Sequence, residues 1–421
     1  MQTGKQPALW RAIAHGNLKM AAKVITRSKP NINAVYRGRT ALCVAIQRYD
    51  RTAVDFLLQQ PTMNPGTSCL SDPDMLSFAA RKGDLGLVER LLRFPAIDIN
   101  CQDYWGMIPA MHALASGEFY ILQLFLSDDR MDANITNDCG HTLLHLAVQK
   151  ADTVSIQILV RHARVDVNAR DSEGQTPLHL AASQARRHKP DRIAISLLDS
   201  ARVDINARDT QGRTPLWRAI ESSGNDVAHI ILQKSNVDFS SDQNSMIPLA
   251  IAIRRGCESI VKHMLRHPKF SIPDVHKASI SPMWEACRSG NANIVTELLR
   301  WNVIDVNQVG PTGTSPLQVA IVGQHVPIVR LLLGDGDRVA VNHLGPQQWS
   351  ALTFAAAAGH REIVSLLLSH PHIDPNHIDD LGRRPLWWAI HGNHLEVMQL
   401  LCSDLRVQKS HKLRELRNLQ Q

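Results

Sequence analysis

The sequence predicts an all-α solenoid of about twelve stacked helix-turn-helix units, joined by short β-hairpin fingers. One observation is a leucine-like position that recurs along the 421-residue chain at spacings of 33 to 38 residues, a period typical of repeat architectures. A second is that 44% of the residues are hydrophobic but only 5% are aromatic, which favours an aliphatic core between closely packed helices. The recurring position is occupied by Leu9, Leu42, Leu76, Ala110, Leu144, Leu178, Leu216, Leu249, Met283, Leu317, Leu352 and Leu386.

The residues around each recurring position predict where a helix begins. Residues 176–182 read T-P-L-H-L-A-A, and residues 214–217 read T-P-L-W. A Thr or Ser hydroxyl caps free amides, and a proline in the first helical position loses no hydrogen bond. A D-x-N element stands about ten residues earlier in several repeats. Its clearest copies are 132–134, 166–168, 204–206, 305–307 and 374–376.

These motifs resemble the ankyrin repeat, whose signature T-P-L-H-x-A is matched in full at residues 176–181. The resemblance covers roughly residues 5 to 405. It implies a short inner helix rich in small residues, an outer helix, and a finger whose tip is a tight turn such as residues 171–174. No such repeat buries its apolar faces alone, so stability comes from stacking on neighbours.

The same elements predict the domain organisation. We expect an N-terminal capping repeat in residues 1–38, repeats 2 to 11 in residues 39–380, and a C-terminal repeat in residues 381–405. Residues 406–421 are polar and basic, with leucines at helical intervals. This segment is either a capping helix or a loose tail.

The sequence offers no pattern of residues typical of an enzyme. It has no phosphate-binding G-x-x-x-x-G-K-[ST] loop, no G-x-S-x-G elbow and no H-E-x-x-H helix. We therefore expect no catalytic, metal or cofactor site. His145 and His179 occupy the family's histidine position, for which the resemblance implies a structural role. Trp10, Trp217, Trp284 and Trp387 occupy the same position, where they either pack internally or stack on a ligand.

The resemblance also implies a binding face, formed by finger tips and the exposed side of the inner helices. Cations are frequent at those positions, and the finger pair Tyr104 and Trp105 is either a binding hot spot or local packing. We therefore expect a scaffold or adaptor, monomeric, that binds an acidic protein partner on a basic concave surface. The candidate residues are Arg37, Arg39, Arg48, Arg81, Lys82, Tyr104, Trp105, Lys150, Arg213, Arg254, Arg255 and Arg288.

A second hypothesis concerns the cellular location of the protein and the process in which it acts. The chain carries a net charge of +7, seven cysteines without a C-x-x-C pair, and no secretory signal or membrane span, so we expect an intracellular protein, cytoplasmic or nuclear, with free thiols. Its tryptophan-bearing repeats resemble ankyrin arrays of filamentous fungi, some regarded as transcription coregulators and a few encoded beside metabolite-pathway genes. The basic insertion at 186–192 is either a solvated loop or a nuclear-targeting element. Neither a zinc cluster nor a basic-zipper helix is present, which disfavours direct binding of nucleic acid.

Overall fold

A computed structural model describes residues 7–66, 75–184, 190–240, 247–270, 281–301 and 304–407. The chain divides into two compact units, Met1–Thr210 and Gln211–Gln421. Within the described ranges, each unit is built from consecutive pairs of antiparallel helices, a short inner helix followed by an outer helix. We number these pairs hairpins 1 to 12 in chain order. The all-α repeat class predicted from the sequence is confirmed.

The first unit contains hairpins 1 to 6. Their helices are α1 (Ala8–Ala14) and α2 (Leu18–Ser28), α3 (Ala41–Gln47) and α4 (Arg51–Leu58), α5 (Met75–Arg81) and α6 (Leu85–Leu92), α7 (Pro109–Ser116) and α8 (Phe119–Ser127), α9 (Leu143–Gln149) and α10 (Thr153–Arg161), and α11 (Pro177–Ser183) and α12 (Pro190–Leu198).

The second unit contains hairpins 7 to 12. Their helices are α13 (Pro215–Glu221) and α14 (Asn225–Leu232), α15 (Pro248–Arg254) and α16 (Glu258–Leu265), α17 (Pro282–Ser289) and α18 (Ala292–Leu299), α19 (Pro316–Val322) and α20 (Val326–Leu333), α21 (Ala351–Ala357) and α22 (Arg361–Ser369), and α23 (Pro385–His391) and α24 (Leu395–Ser403).

The fingers consist of turns rather than paired strands. In the described part of the chain, the β-structure amounts to one isolated antiparallel bridge between Tyr36 and Arg39. Two short 3-10 helices, Gly336–Arg338 and Pro346–Gln348, precede hairpin 11. The predicted β-hairpin fingers are therefore present as reversals of the backbone, without extended ladders.

The inner helices begin as the sequence predicts. Where Thr or Ser precedes the helix, its hydroxyl accepts a hydrogen bond from the amide three residues later, for example Thr40 from Cys43 at 3.2 Å and Ser315 from Gln318 at 3.3 Å. The twelve residues of the leucine-like position are at most 4% exposed. The inner helices of hairpins 4 and 9 end at Gly117 and Gly290, whose φ angles of +81° and +75° favour glycine.

In several repeats, the asparagine at the end of the D-x-N element connects one finger to the next. Asn134 donates its side-chain amide to the carbonyl of Arg164 at 2.9 Å and accepts the amide of Asp166 at 2.7 Å. Asn342 repeats this pattern in the second unit, with the carbonyl of His372 and the amide of Asp374. The asparagine thus satisfies one donor and one acceptor of the following repeat, which explains why this residue type recurs there.

In several fingers, an arginine two positions before the aspartate caps an outer helix, which lies one repeat before the helix that leads into the finger. The guanidinium of Arg202 donates to the carbonyls of Val160 at 2.6 Å, His162 at 3.1 Å and Val165 at 3.0 Å. These carbonyls lie at and just beyond the C-terminus of α10, where main-chain oxygens lack helical partners. Four further arginines reach the end of an earlier outer helix in the same manner. They are Arg130, Arg164, Arg338 and Arg406.

Two basic segments of the sequence extend outside the described residues. The basic insertion does separate the helices of hairpin 6, since α11 ends at Ser183 and α12 begins at Pro190, but residues 185–189 lie outside the described residues. Most of the basic tail, residues 408–421, also lies outside them.

The expectation of free thiols is wrong for Cys43, which is disulfide-bonded. Among the described residues, Cys139, Cys257 and Cys287 have free thiols. Burial raises the pKa of the Cys257 and Cys287 thiols, so these two remain protonated at neutral pH.

Candidate partner-binding surfaces

The finger positions chosen from the sequence are exposed to solvent. Arg37 and Arg39 are exposed, and the Arg37 guanidinium lies 5.5 Å from the centre of the Tyr36 ring. Tyr104 is 81% exposed and Trp105 is 61% exposed, with their ring centroids 6.0 Å apart in an edge-to-face arrangement. Both rings are largely exposed, so a partner can contact this aromatic pair.

Three of the predicted cations lie together where the inner helices of hairpins 2 and 3 end. Arg48, Arg81 and Lys82 are exposed. The Lys82 ammonium lies 5.6 Å from the centre of the Tyr49 ring and 5.9 Å from that of Phe78. We call the five residues Arg48, Tyr49, Phe78, Arg81 and Lys82 the first-unit cluster.

A cavity of about 150 Å³ opens beside the first-unit cluster. Tyr49, Phe78 and Lys82 contribute to its wall, and two additional cations, Arg51 and Arg90, lie around it. Each of these two arginines already has a carboxylate partner: Arg51 lies 3.6 Å from Asp84, and Arg90 is bonded to Asp55. The apolar lining is Ile46, Val54, Ala79 and Leu87.

Other predicted cations have structural partners. Lys150 donates to the carbonyl of Ala115 near the end of the preceding inner helix. Arg213 lies 3.9 Å from the carboxylate of Glu221 and 5.2 Å from the centre of the Trp217 ring. Lys150 follows the end of α9 and Arg213 lies in the finger before α13, as expected, but part of their charge and hydrogen-bonding capacity is already used within the protein.

Arg254 and Arg288 converge on one buried carboxylate in the second unit. Glu285, 1% exposed, accepts from the Arg254 Nε at 3.1 Å and from an Arg288 amino group at 2.6 Å. Burial raises the pKa of Glu285, but the hydrogen bonds from Arg288 and Arg254 outweigh it and leave that pKa below its usual range. Arg255, the neighbour of Arg254, is exposed and has no carboxylate partner among the described residues.

The histidine position connects a helix to the following finger. In hairpin 5, Nδ1 of buried His145 accepts from the Thr142 amide at 3.3 Å, so Nε2 carries the proton and donates to the carbonyl of Gln175 at 3.0 Å. Burial lowers the pKa of His145, which keeps it neutral. Its structural role is confirmed by these contacts.

Other residue types make the same connection in the second unit. Trp284 donates its indole NH to the hydroxyl of Thr314 at 3.1 Å, and Gln318 donates to the carbonyl of His343 at 2.8 Å. Trp217 and Trp284 are buried, which confirms internal packing for these two. Trp10 and Trp387 are half-buried.

The described ranges contain neither a cluster of metal ligands nor a helix suited to span a membrane. No group of three or more His, Cys, Asp or Glu side chains there is arranged to hold a metal ion. None of the described helices combines the length and the hydropathy that crossing a bilayer requires.

The sequence alone did not indicate the aromatic wall of the cavity or the buried carboxylate of Glu285. Tyr49 and Phe78 lie on different hairpins, and their rings meet 5.9 Å apart only after stacking. The sequence did contain a sign of the role of Glu285, because this residue is an acid inside a predicted inner helix and stands three positions before Arg288.

Comparisons with known proteins agree with this architecture. A family model described as ankyrin repeats (3 copies) matches overlapping segments at residues 76–171, 120–209, 185–275, 249–343 and 337–412. The chain is also similar to the ADP-ribosylation factor GTPase-activating protein AGD2 of Arabidopsis thaliana, with 31% identity over 121 residues. That similarity covers 26% of the chain and 15% of the relative, so the chain matches only a small part of that protein's length.

Proposed function

Since the chain belongs to the ankyrin-repeat family, we propose that it is a non-enzymatic scaffold or adaptor that binds an acidic protein partner. The binding surface is formed by cations at the ends of inner helices, and the chain acts as a monomer. In the first unit these cations are Arg48, Arg81 and Lys82, and in the second unit Arg255 is the clearest example. Family membership supports protein binding in general, and the acidic chemistry of the partner is our inference from charge.

The observation that carries the proposal is the difference between two groups of cations. Arg130, Arg164 and Arg202 cap outer helices, so their charge serves the fold. By contrast, Arg48, Arg81 and Lys82 have no carboxylate partner within 4.0 Å among the described residues. Exposed charges of one sign attract an oppositely charged partner and increase its association rate.

Charge reversal tests the proposal. The variant Arg81→Glu/Lys82→Glu is compared with Lys19→Glu/Lys23→Glu, a matched reversal of two exposed lysines on α2. Affinity capture from native extract, quantified by mass spectrometry, is expected to lose its acidic partners only with the first variant. Thermal melts of both variants verify that the fold is kept. Equal capture by the two variants contradicts the proposal.

Arg254 is unsuitable for this test even though it belongs to the predicted face. Its reversal would place a second carboxylate beside buried Glu285, so a loss of binding would also reflect a loss of stability. Arg255→Glu is the appropriate reversal in the second unit.

A second role, as a nuclear transcription coregulator, is favoured by the basic residues of the 186–192 insertion. Imaging of the fluorescently tagged chain tests it, with Arg186→Ala/Arg187→Ala/Lys189→Ala as the comparison. The expected result is nuclear accumulation that this variant reduces. Exclusion of the unmodified chain from the nucleus contradicts the role.

A further inference from the structure

The cavity between hairpins 2 and 3 combines an apolar interior with a positively charged surround. Its volume is about 150 Å³, and Ile46, Val54, Ala79 and Leu87 supply apolar lining. A cavity of roughly 150 Å³ accommodates one benzene-sized group. The space therefore fits a single Leu or Phe side chain.

The walls suit such a side chain in chemistry as well as in size. Tyr49 and Phe78 stand with ring centroids 5.9 Å apart at an angle of 46°. Tyr49 is exposed and Phe78 is half-buried, so a further apolar group can be covered by them. Burying one bulky apolar side chain is favourable because it removes apolar surface from water.

The charges around the cavity determine which residues of the partner are favoured beside that side chain. Asp84 accepts the amide of Leu87 at the start of α6 and lies 3.6 Å from Arg51, while Asp55 bonds to Arg90. The acids at the cavity are thus already engaged within the protein. Among the described residues, no carboxylate forms an ion pair within 4.0 Å with the cations of the first-unit cluster, Arg48, Arg81 and Lys82, although Arg48 interacts through its charge with Asp50.

We infer that this cavity receives one bulky apolar side chain, Leu or Phe, from a short acidic segment of the protein partner. Carboxylates beside that residue face Lys82 and Arg81, and the apolar side chain enters the cavity beside the paired rings of Tyr49 and Phe78. This inference rests on the proposed function, because it specifies which partner segment the first-unit cluster recognises. The complementarity of charge distinguishes an acidic segment from a basic or neutral one.

Binding of a defined peptide tests the inference with the full chain. The probe is the fluorescein-labelled peptide DEDEDLEDEDE, and its counterpart has Ala in place of the central Leu. Fluorescence anisotropy is expected to show that the Leu peptide binds at least about tenfold more tightly than the Ala peptide. Lys82→Glu weakens both peptides, whereas the matched reversal Lys19→Glu affects neither.

Two cavity variants test the place of the apolar side chain. Ala79→Val reduces the space and Phe78→Ala removes one wall, and each is expected to reduce the preference for Leu while leaving the affinity for the Ala peptide unchanged. Helical circular dichroism and thermal melts identify any variant that has lost its fold. Should Ala79→Val unfold, Phe78→Ala gives the same information.

The outcomes separate this inference from the proposed function. If both peptides bind equally and Lys82→Glu weakens both, the basic binding surface is supported and the apolar anchor is wrong. If neither peptide binds, or if Lys82→Glu has no effect, the proposed function fails and the inference fails with it. Displacement of the Leu peptide by a twelve-nucleotide oligothymidylate would instead indicate a nucleic-acid site and overturn the inference.

Discussion

The buried carboxylate of Glu285 accepts a hydrogen bond from the Nε of Arg254 at 3.1 Å, although the two residues lie on the inner helices of consecutive hairpins. Arg288, one turn after Glu285, donates to the same oxygen at 2.6 Å. One inner helix of the chain therefore carries a buried glutamate whose carboxylate accepts hydrogen bonds from two arginines. This arrangement connects hairpins 8 and 9 by charge as well as by apolar packing.

The pH dependence of stability is the first consequence. Because the folded-state pKa of Glu285 is lowered, its contribution is fully present above the unfolded-state value of about 4.3 and is lost as pH falls through the folded-state pKa. Glu285→Gln is expected to reduce the decline of the melting temperature below about pH 5. Thermal melts of both proteins from pH 7 to pH 3 measure it. An equally steep decline in the variant would show that other carboxylates dominate.

Arg254 and Arg255 are adjacent in sequence but differ in their contacts, so they form a matched pair. Arg254→Ala removes one of the two partners of buried Glu285 and is expected to lower the free energy of unfolding by about 2 kcal/mol. Arg255→Ala removes an exposed side chain and is expected to change it by less than about 0.5 kcal/mol. Urea unfolding midpoints compare the two. Similar midpoints would mean that Arg288 alone holds Glu285.

The neutral, buried state of His145 predicts a second effect, near neutral pH. Since the folded-state pKa is lowered, the unfolded chain binds more protons below about pH 6.5, and stability falls as pH drops through that region. His145→Gln is expected to keep the connection to Gln175, because Gln318 already makes the equivalent contact in hairpin 10, with the carbonyl of Trp349 at 3.0 Å. The variant should lose less stability than the unmodified chain between pH 7 and pH 5, measured as the unfolding midpoint.

Arg202 tests the capping role of the finger arginines. Its guanidinium serves carbonyls at and beyond the end of α10, so Arg202→Ala is expected to lower the free energy of unfolding by about 2 kcal/mol. Arg161→Ala is the control, because Arg161 is exposed and lies 3.8 Å from Asp199. Exposed pairs of this kind contribute at most about 1 kcal/mol. Equal losses in the two variants would refute the capping role.

The repeat period was predictable because it depends on residue types at local spacing. The Thr or Ser hydroxyl at the start of an inner helix and the leucine-like position each act within one hairpin, and they are found where the sequence places them. The role of Arg202 was not predictable in this way, because its acceptors lie about forty residues earlier and are main-chain carbonyls. The details of the candidate site were not predictable either. Arg254 and Lys82 carry the same charge in the sequence, and only the stacking of the hairpins places a buried carboxylate beside Arg254.

Gly310 approaches Trp284 so closely that a side chain has no room. A Cβ at Gly310 would lie 2.2 Å from Cε2 of Trp284, and that indole is held by Thr314 at 3.1 Å. Gly310→Ala is therefore expected to lower the free energy of unfolding by about 1–3 kcal/mol through overpacking. Gly86→Ala, inside α6 and no closer than 3.8 Å to a neighbour, is expected to raise it by about 1 kcal/mol, since alanine favours the helix. The opposite signs distinguish steric crowding at the indole from a general effect of replacing glycine, and a gain in the unfolding midpoint for Gly310→Ala would refute the close packing.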